Sequence, residues 1–295
     1  MRPEPGIRRA LDGTGLRRTL IGIAVAVGVV LLLAPIVIIF SYAFAQGLGV
    51  FVTNLLAPDT LHAIGLTLLT LIVVLPVNVA FGLAAAWAIT RFRFRGKKLL
   101  VTILELPFSI SPIVAGVIYL FLYGAQGLFG PWLAEHDVQI MFTIPAIFLV
   151  TIFVTSPFVA RELITFMRDQ GSEEEEAALS LGASAWHMLT KVTLPNIKWA
   201  LLYGAVLCGA RAVGEFGAVS VVSGNIRGQT NTLPLQIELL YNDYNATGAF
   251  GAAAILTLIA MATILIKAWL EGRRETSRWT CASSTISSRS SSGAA

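Results

Sequence analysis

Residues 61–90 read LHAIGLTLLTLIVVLPVNVAFGLAAAWAIT, an unbroken stretch without Asp, Glu, Lys or Arg. The hydrocarbon core of a bilayer is about 30 Å thick, and an α-helix needs about 20 apolar residues to cross it. In lipid every backbone N–H and C=O must find a partner within the protein, and a helix provides these partners inside one segment. This stretch therefore predicts a membrane-spanning α-helix.

Other long apolar stretches extend the same pattern over most of the chain, at 19–45, 99–123, 140–160, 197–222 and 248–270. Of the 295 residues 56% are hydrophobic and 13% are charged, and the mean hydropathy is +0.76. Such a composition is too apolar for a soluble domain. We expect an all-α membrane protein with six transmembrane helices. The apolar stretch at 19–45 is longer than the roughly 7–15 apolar residues of a signal peptide. We therefore interpret it as a retained anchor, with cleavage as the alternative.

Basic residues alternate between the connecting segments. Lys and Arg number five in 1–18, five in 91–98 and four in 161–198. The other connecting segments are nearly free of them, at 46–60, 124–139 and 223–247. By the positive-inside rule both termini face the cytoplasm, and the protein is a multi-pass component of the inner cell membrane. The net charge of +4 thus reflects membrane orientation, and we expect no nucleic-acid partner.

Three regions follow from this topology. Residues 1–18 form a cytoplasmic N-terminal segment, and residues 19–270 form the transmembrane domain, with a long cytoplasmic loop at 161–198. Residues 271–295 are rich in Ser and lack apolar periodicity, which predicts a disordered cytoplasmic tail.

The long loop has an acidic helical signal at its centre, where residues 171–182 read GSEEEEAALSLG. Ser172 and Glu175 have the spacing of a capping box, and Gly182 is suited to end the helix. Ser184 can cap a second short helix, which we expect to end at 193–195. The small residues would let another protein surface approach closely. The alternative is an ordinary solvated acidic helix.

The spacing within this loop resembles a known motif. Glu176, Ala177 and Ala178 are followed after three residues by Gly182, and after nine more by Val192-Thr193-Leu194-Pro195. This is similar to the EAA loop of ABC-importer permeases, with Val192 in place of the family's Ile. The resemblance implies that Glu176, Ala177, Ala178, Gly182, Leu194 and Pro195 couple the chain to a separate ATP-binding subunit. It also implies the MetI-like fold of type I ABC importers.

Further stretches resemble the CysW-type sulfate/thiosulfate permeases, among them 107–112, 152–159, 214–220 and 233–238. The resemblance implies membership of an importer with a homologous CysT-type permease, two CysA-type ATP-binding subunits and an extracytoplasmic sulfate/thiosulfate-binding protein, embedded in membrane lipid. Molybdate and other oxyanion permeases are close relatives, so they remain the alternative.

Charged residues also occur inside a predicted span. Arg211 and Glu215 are four residues apart, which places them on one face of a helix, and charges at that depth avoid lipid. With Ser220 and Arg227 they are candidates for the anion's translocation path. A structural ion pair that fixes helix packing is the alternative. On the same predicted helix Ala210, Gly214 and Ala218 would form a seam of small residues.

Several function classes lack their motifs. The sequence contains no Walker A motif, no GxSxG and no HExxH, so we expect no ATPase site, no catalytic residues, no metal and no cofactor in this chain. An ion-coupled secondary transporter is a weaker alternative, because inverted repeats and additional buried carboxylates are missing. An intramembrane enzyme lacks candidate nucleophiles and metal ligands.

Overall fold

The computed structural model describes the backbone of residues 14–291. Side chains are described from Arg18 to Trp269, and before that range only the exposure of Gly15 is described. Within that range the regular structure is helical, which confirms the all-α prediction. The helices are α1 (Thr14–Ala43), α2 (Leu48–Leu55), α3 (Pro58–Arg91), α4 (Lys97–Ser109), α5 (Pro112–Tyr123), α6 (Gly130–Glu135), α7 (Ile144–Gln170), α8 (Glu173–Ser180), α9 (Ala185–Met188), α10 (Leu194–Val213), α11 (Gly217–Val222), α12 (Leu233–Asn242) and α13 (Ala246–Ser291).

Four of the described helices are long and apolar enough to cross a membrane unaided, and they contain the ranges Arg18–Ala43, Pro58–Arg91, Ile144–Gln170 and Ala246–Trp269. The predicted third span is a pair of helices, α4 and α5, bent by 111°. Counted together, this pair would make a fifth span. The predicted count of six transmembrane helices remains a prediction.

The bend between α4 and α5 has a local cause at Pro112. The Pro112 ring disfavours helical backbone at Ser111, which adopts φ −58° and ψ 138°. Pro112 itself has no N–H to continue the hydrogen-bond ladder of α4. The chain therefore stops one helix and starts another in a new direction.

Helix α7 is the centre of the bundle, since it packs against α3, α4, α5, α10 and α11. Two glycines let its neighbours approach closely. A Cβ on Gly82 of α3 would lie 2.8 Å from the Val159 side chain, and one on Gly204 of α10 would lie 3.3 Å from the Val159 Cα. Buried Asn78 of α3 donates to Thr155 Oγ1 of α7 at 2.7 Å, which adds a directed bond to this packing. The three-helix unit α3–α7–α10 is thus fixed by close backbone contact and by polar bonding.

The predicted fifth span is interrupted. Helix α10 ends at Val213, and the short helix α11 begins at Gly217 after a break at 214–216. The predicted seam of Ala210, Gly214 and Ala218 on one helix is therefore wrong, because Ala218 belongs to α11. Ala218 instead packs closely against Gly116 of α5. A Cβ added to Gly116 would lie 2.8 Å from the Ala218 carbonyl oxygen.

Two predicted regions lie at the margins of the description. Residues 1–13 and 292–295 are outside the described residues, as are the side chains beyond Trp269. Helix α1 begins at Thr14, inside the predicted N-terminal segment 1–18, and helix α13 continues to Ser291, so the backbone described for 271–291 is helical and does not support the predicted disorder of the tail 271–295. The cytoplasmic placement of both segments stays a prediction.

Candidate coupling loop and membrane-embedded charges

The predicted coupling loop forms a helix–turn–helix at one end of the bundle. Helix α7 runs to Gln170, ten residues past the predicted end of its span, so α8 and α9 follow directly on a long helix. Gly182 ends α8 with φ +85°, a left-handed conformation that glycine adopts without a Cβ penalty. Ser184 Oγ accepts the His187 N–H at 3.3 Å and caps α9, as predicted.

The predicted capping box does not form. Ser172 caps no backbone N–H, and its hydroxyl instead donates to Glu176 Oε1. Glu175 points into the protein, where it is the buried member of the acidic run. An ion pair inside the protein outcompetes the local cap, because a buried carboxylate must find charge and hydrogen bonds there.

A polar cluster, which we call the joint, connects the loop to the long helices α3, α7 and α10. It consists of Arg91, Glu175 and Thr193. One carboxylate oxygen of Glu175 accepts a hydrogen bond from Thr193 Oγ1 at 2.6 Å, and the other forms an ion pair with Arg91 Nε at the end of α3. Arg91 also donates to the carbonyl oxygens of Met167, at 3.3 Å, and Gly171, at 2.8 Å, at the end of α7. A cation there complements the negative end of the α7 dipole.

A second carboxylate strengthens the same joint, since Asn196 of α10 donates to Glu174 Oε2. A polar cavity of about 80 Å³ borders these side chains. Arg91 and Glu175 were not among the residues predicted for coupling. A run of four glutamates gives no signal for which one is buried, and Arg91 looked like one more basic residue of a cytoplasmic loop.

The short helix capped by Ser184 does not end at 193–195 as expected. A single π-type turn, Leu189–Thr193, connects α9 to α10 without a break. Pro195 has no N–H to bond the carbonyl one turn earlier, and in a regular α-helix its ring would clash with that carbonyl. The wider π-type turn makes room for the proline ring. Thr193, which holds Glu175, is the last residue of that turn.

The coupling residues taken from the motif lie mainly on the outside of this element. Glu176, Ala177, Gly182 and Pro195 are exposed, whereas Ala178 and Leu194 are half-buried. Beside them Leu181 is 88% exposed and Trp186 is 70% exposed. Large apolar side chains therefore project from an element whose first turn is acidic.

The two charges predicted to lie in the membrane, Arg211 and Glu215, divide into a more exposed and a buried member. Arg211 Nη1 lies 2.7 Å from Glu215 Oε2, with side chains 33% and 1% exposed. Glu215 Oε1 accepts the Ala218 N–H at 3.0 Å and so caps the short helix α11. Glu215 thereby stabilises the break after α10, while the Arg211 side chain stays a third exposed.

The other two candidates for the path do not join this pair. Ser220 Oγ donates to the Gly217 carbonyl oxygen within α11 at 3.0 Å. Arg227 lies in the segment after α11 and forms an exposed ion pair with Asp243 at 2.5 Å. The structure therefore brings Arg211 and Glu215 together and gives Ser220 and Arg227 separate local partners.

The segment between α11 and α12 is rich in polar residues, and several of them are buried. Leu233 N donates to Thr67 Oγ1 of α3 at 2.8 Å, which anchors the start of α12. The buried polar side chains of this segment are Ser223, Thr230, Asn231 and Thr232, and Asn231 donates to Gln236 Oε1 of α12 at 3.3 Å. Across the described part of the chain, His, Cys, Asp and Glu do not group into a metal-binding cluster.

Comparison with known proteins gives consistent matches. The family model described as "Binding-protein-dependent transport system inner membrane component" matches residues 78–275. The sulfate transport system permease protein CysW of Escherichia coli (strain K12) is 57% identical over 256 residues, which cover 87% of this chain and 88% of that protein. The CysW protein of Synechocystis sp. is 46% identical over 254 residues, covering 86% and 92%.

A homologous permease and a solved structure extend the comparison. The sulfate transport system permease protein CysT of Escherichia coli (strain K12) is 36% identical over 209 residues, covering 71% of this chain and 74% of that protein. A chain in the crystal structure of a bacterial alginate ABC transporter, in complex with alginate pentasaccharide-bound periplasmic protein, superposes with a TM-score of 0.73. It is 18% identical and the match covers 88% of this chain and 94% of that chain, a likeness in fold.

Proposed function

The chain belongs to the family of binding-protein-dependent transport system inner membrane components, and from this premise we propose that it carries sulfate or thiosulfate into the cytoplasm as one permease subunit of an ATP-driven importer. We take the substrate from the relatives, which are named sulfate transport system permease proteins. The match covers most of this chain and most of each relative. Molybdate or another oxyanion is the second candidate.

The observation that carries the coupling role is the apolar tip of the loop. Leu181 and Trp186 are exposed on a short acidic element outside the long helices. Lipid can cover the exposed apolar side chains of the long helices, but Leu181 and Trp186 lie in the loop predicted to face the cytoplasm, which favours a protein surface as their cover. Glu176, Ala177, Ala178 and Gly182 lie close to them in the sequence, and the small residues permit close approach, so an ATP-binding subunit is the proposed occupant.

The remaining partners follow from the same assembly. ATP is hydrolysed by two CysA-type subunits, a homologous CysT-type permease completes the pore, and an extracytoplasmic sulfate/thiosulfate-binding protein delivers the anion. The chain itself contributes no ATPase site. Both termini and the loop face the cytoplasm in this arrangement, as the alternation of basic residues supports.

Arg211 is the proposed anion contact in the membrane. Its side chain is a third exposed, whereas the Glu215 side chain is buried and already bonded to Arg211 and to the Ala218 N–H. A tetrahedral dianion is well matched by a guanidinium, which offers charge and several N–H donors. Ser220 and Arg227 stay proposed members of the path, at positions further along the chain.

The test is uptake of labelled sulfate by proteoliposomes that contain the complete complex. We expect uptake that requires ATP on the loop side and the binding protein on the other side. Competition by thiosulfate but not by molybdate would support the sulfate assignment, and stronger competition by molybdate would replace it. Uptake by this chain alone, driven by an ion gradient without nucleotide, would contradict the importer.

A further inference from the structure

The joint beneath the coupling loop connects three long helices through one buried carboxylate. Glu175 contacts Arg91 of α3 and Thr193 before α10, and Arg91 contacts the end of α7. Helices α3, α7 and α10 also pack on one another along their length. A displacement of α8 therefore reaches all three helices at the same point.

The burial of this joint distinguishes it from a surface ion pair. The Arg91 and Glu175 side chains are 13% and 8% exposed. A buried charge that loses its partner is strongly unfavourable, so the pair holds α8 against the bundle or is lost as a unit. An exposed pair would let α8 shift without moving α3.

The route from the joint leads to the membrane-embedded charges. Helix α10 begins directly after Thr193, and its last turn carries Arg211. Its 20 residues span about 30 Å at 1.5 Å per residue. The π-type turn at Leu189–Thr193 lies at the start of this route, and such turns within helices frequently occur at functional sites.

We infer that Arg91, Glu175 and Thr193 are positioning residues that carry the movement of the coupling loop into α3, α7 and α10, and through α10 to Arg211. This inference rests on the proposed function, because it assumes an ATP-binding subunit on the loop. The motif residue Glu176 faces outward to that subunit, whereas Glu175 faces inward to the bundle. Adjacent glutamates thus have opposite tasks.

The test measures sulfate uptake and ATP hydrolysis in the same proteoliposomes of the complete complex. Glu175→Gln removes the charge, and Thr193→Val removes the hydroxyl with little change of shape. Arg91→Lys keeps the charge but loses the planar fork that serves three acceptors. Glu173→Gln and Arg93→Lys are matched controls, because both residues are exposed neighbours with the same chemistry.

We expect the three joint variants to retain bound ATP-binding subunits and to hydrolyse ATP, while sulfate transported per ATP falls by at least about fivefold, the lower range for coupling between sites. The two controls should match wild type. This ratio comes only from folded complexes, so a variant that merely folds poorly leaves it unchanged. An unchanged ratio in all three variants would overturn the inference.

A second measurement separates the inference from the choice of substrate. Hydrogen exchange in α10 is compared with and without ATP and vanadate, which needs no sulfate. We expect nucleotide to change exchange near Arg211 in wild type and in Glu173→Gln, but not in Glu175→Gln. If this holds while wild type takes up no sulfate, the substrate is wrong and the joint stands. An equal nucleotide response in Glu175→Gln would overturn the joint.

Discussion

At the scale of single residues, Arg211 and Glu215 have different surroundings although the sequence presents them as a symmetrical pair. Glu215 is buried, and both of its oxygens are used, one by Arg211 and one by the Ala218 N–H. Arg211 is a third exposed. Spacing of four residues predicted the contact correctly, but it could not reveal that a helix ends between the two positions.

This asymmetry makes a prediction about Arg211. Arg211→Ala leaves Glu215 buried without a cation, which costs about 3–5 kcal/mol and should lower the yield of folded complex. Arg211→Ala combined with Glu215→Gln should restore the yield, since the Gln carbonyl can still accept the Ala218 N–H. Sulfate uptake per folded complex should stay at least about tenfold below wild type in both, as expected for one lost charged hydrogen bond.

Size-exclusion chromatography and uptake assays on the same preparations check this prediction. For the yield of folded complex alone, the control is Arg227→Ala with Asp243→Asn, an exposed pair whose loss should change stability by at most about 1 kcal/mol. If the double variant at 211 and 215 regained full uptake, the pair would be purely structural.

At the scale of helices, the close crossing of α3 and α7 predicts a steric effect at Gly82. A Cβ there would meet the Val159 side chain at 2.8 Å and the Ala160 backbone nitrogen at 2.9 Å, and backbone cannot move aside cheaply. Gly82→Ala should therefore destabilise the bundle by about 1–3 kcal/mol. The measurement is the thermal unfolding midpoint of the detergent-solubilised complex.

Gly65→Ala is the matched control on the same helix, where a Cβ would meet open space. We expect an unchanged or higher midpoint, because Ala favours a helix by about 1 kcal/mol over Gly. Equal midpoints for the two variants would show that the crossing is looser than the structure has it.

The same scale explains which elements were predictable. Long uncharged stretches such as 61–90 predicted helices because hydropathy over some twenty residues outweighs any local signal. The break at 214–216 and the bend before Pro112 depend on how neighbouring helices compensate lost backbone bonds, which one segment alone does not reveal. The capping box at Ser172 failed for a related reason, since Glu175 had a better partner in Arg91, distant in sequence.

At the scale of the whole molecule, helix α10 connects two features. The exposed coupling loop lies before its first residue, and the break at 214–216 with the Arg211–Glu215 ion pair lies at its other end. The EAA-like spacing predicts a docking site for a partner, and that site stays a prediction, whereas the joint of Arg91, Glu175 and Thr193 became visible only in the three-dimensional packing. Because α3, α7 and α10 meet both at this joint and along their length, we expect them to respond to the loop as a unit. The proposed function requires that an ATP-binding subunit holds this loop during transport.

Photo-crosslinking from position 181 in the complete complex tests that claim most directly. A photo-reactive amino acid in place of Leu181 should crosslink to the ATP-binding subunit and abolish ATP-dependent sulfate uptake after illumination. The same amino acid in place of Leu128, which is also exposed but lies outside the loop, should give no such product. Crosslinks from position 181 to the extracytoplasmic binding protein or to lipid, with none to the ATP-binding subunit, would contradict the account.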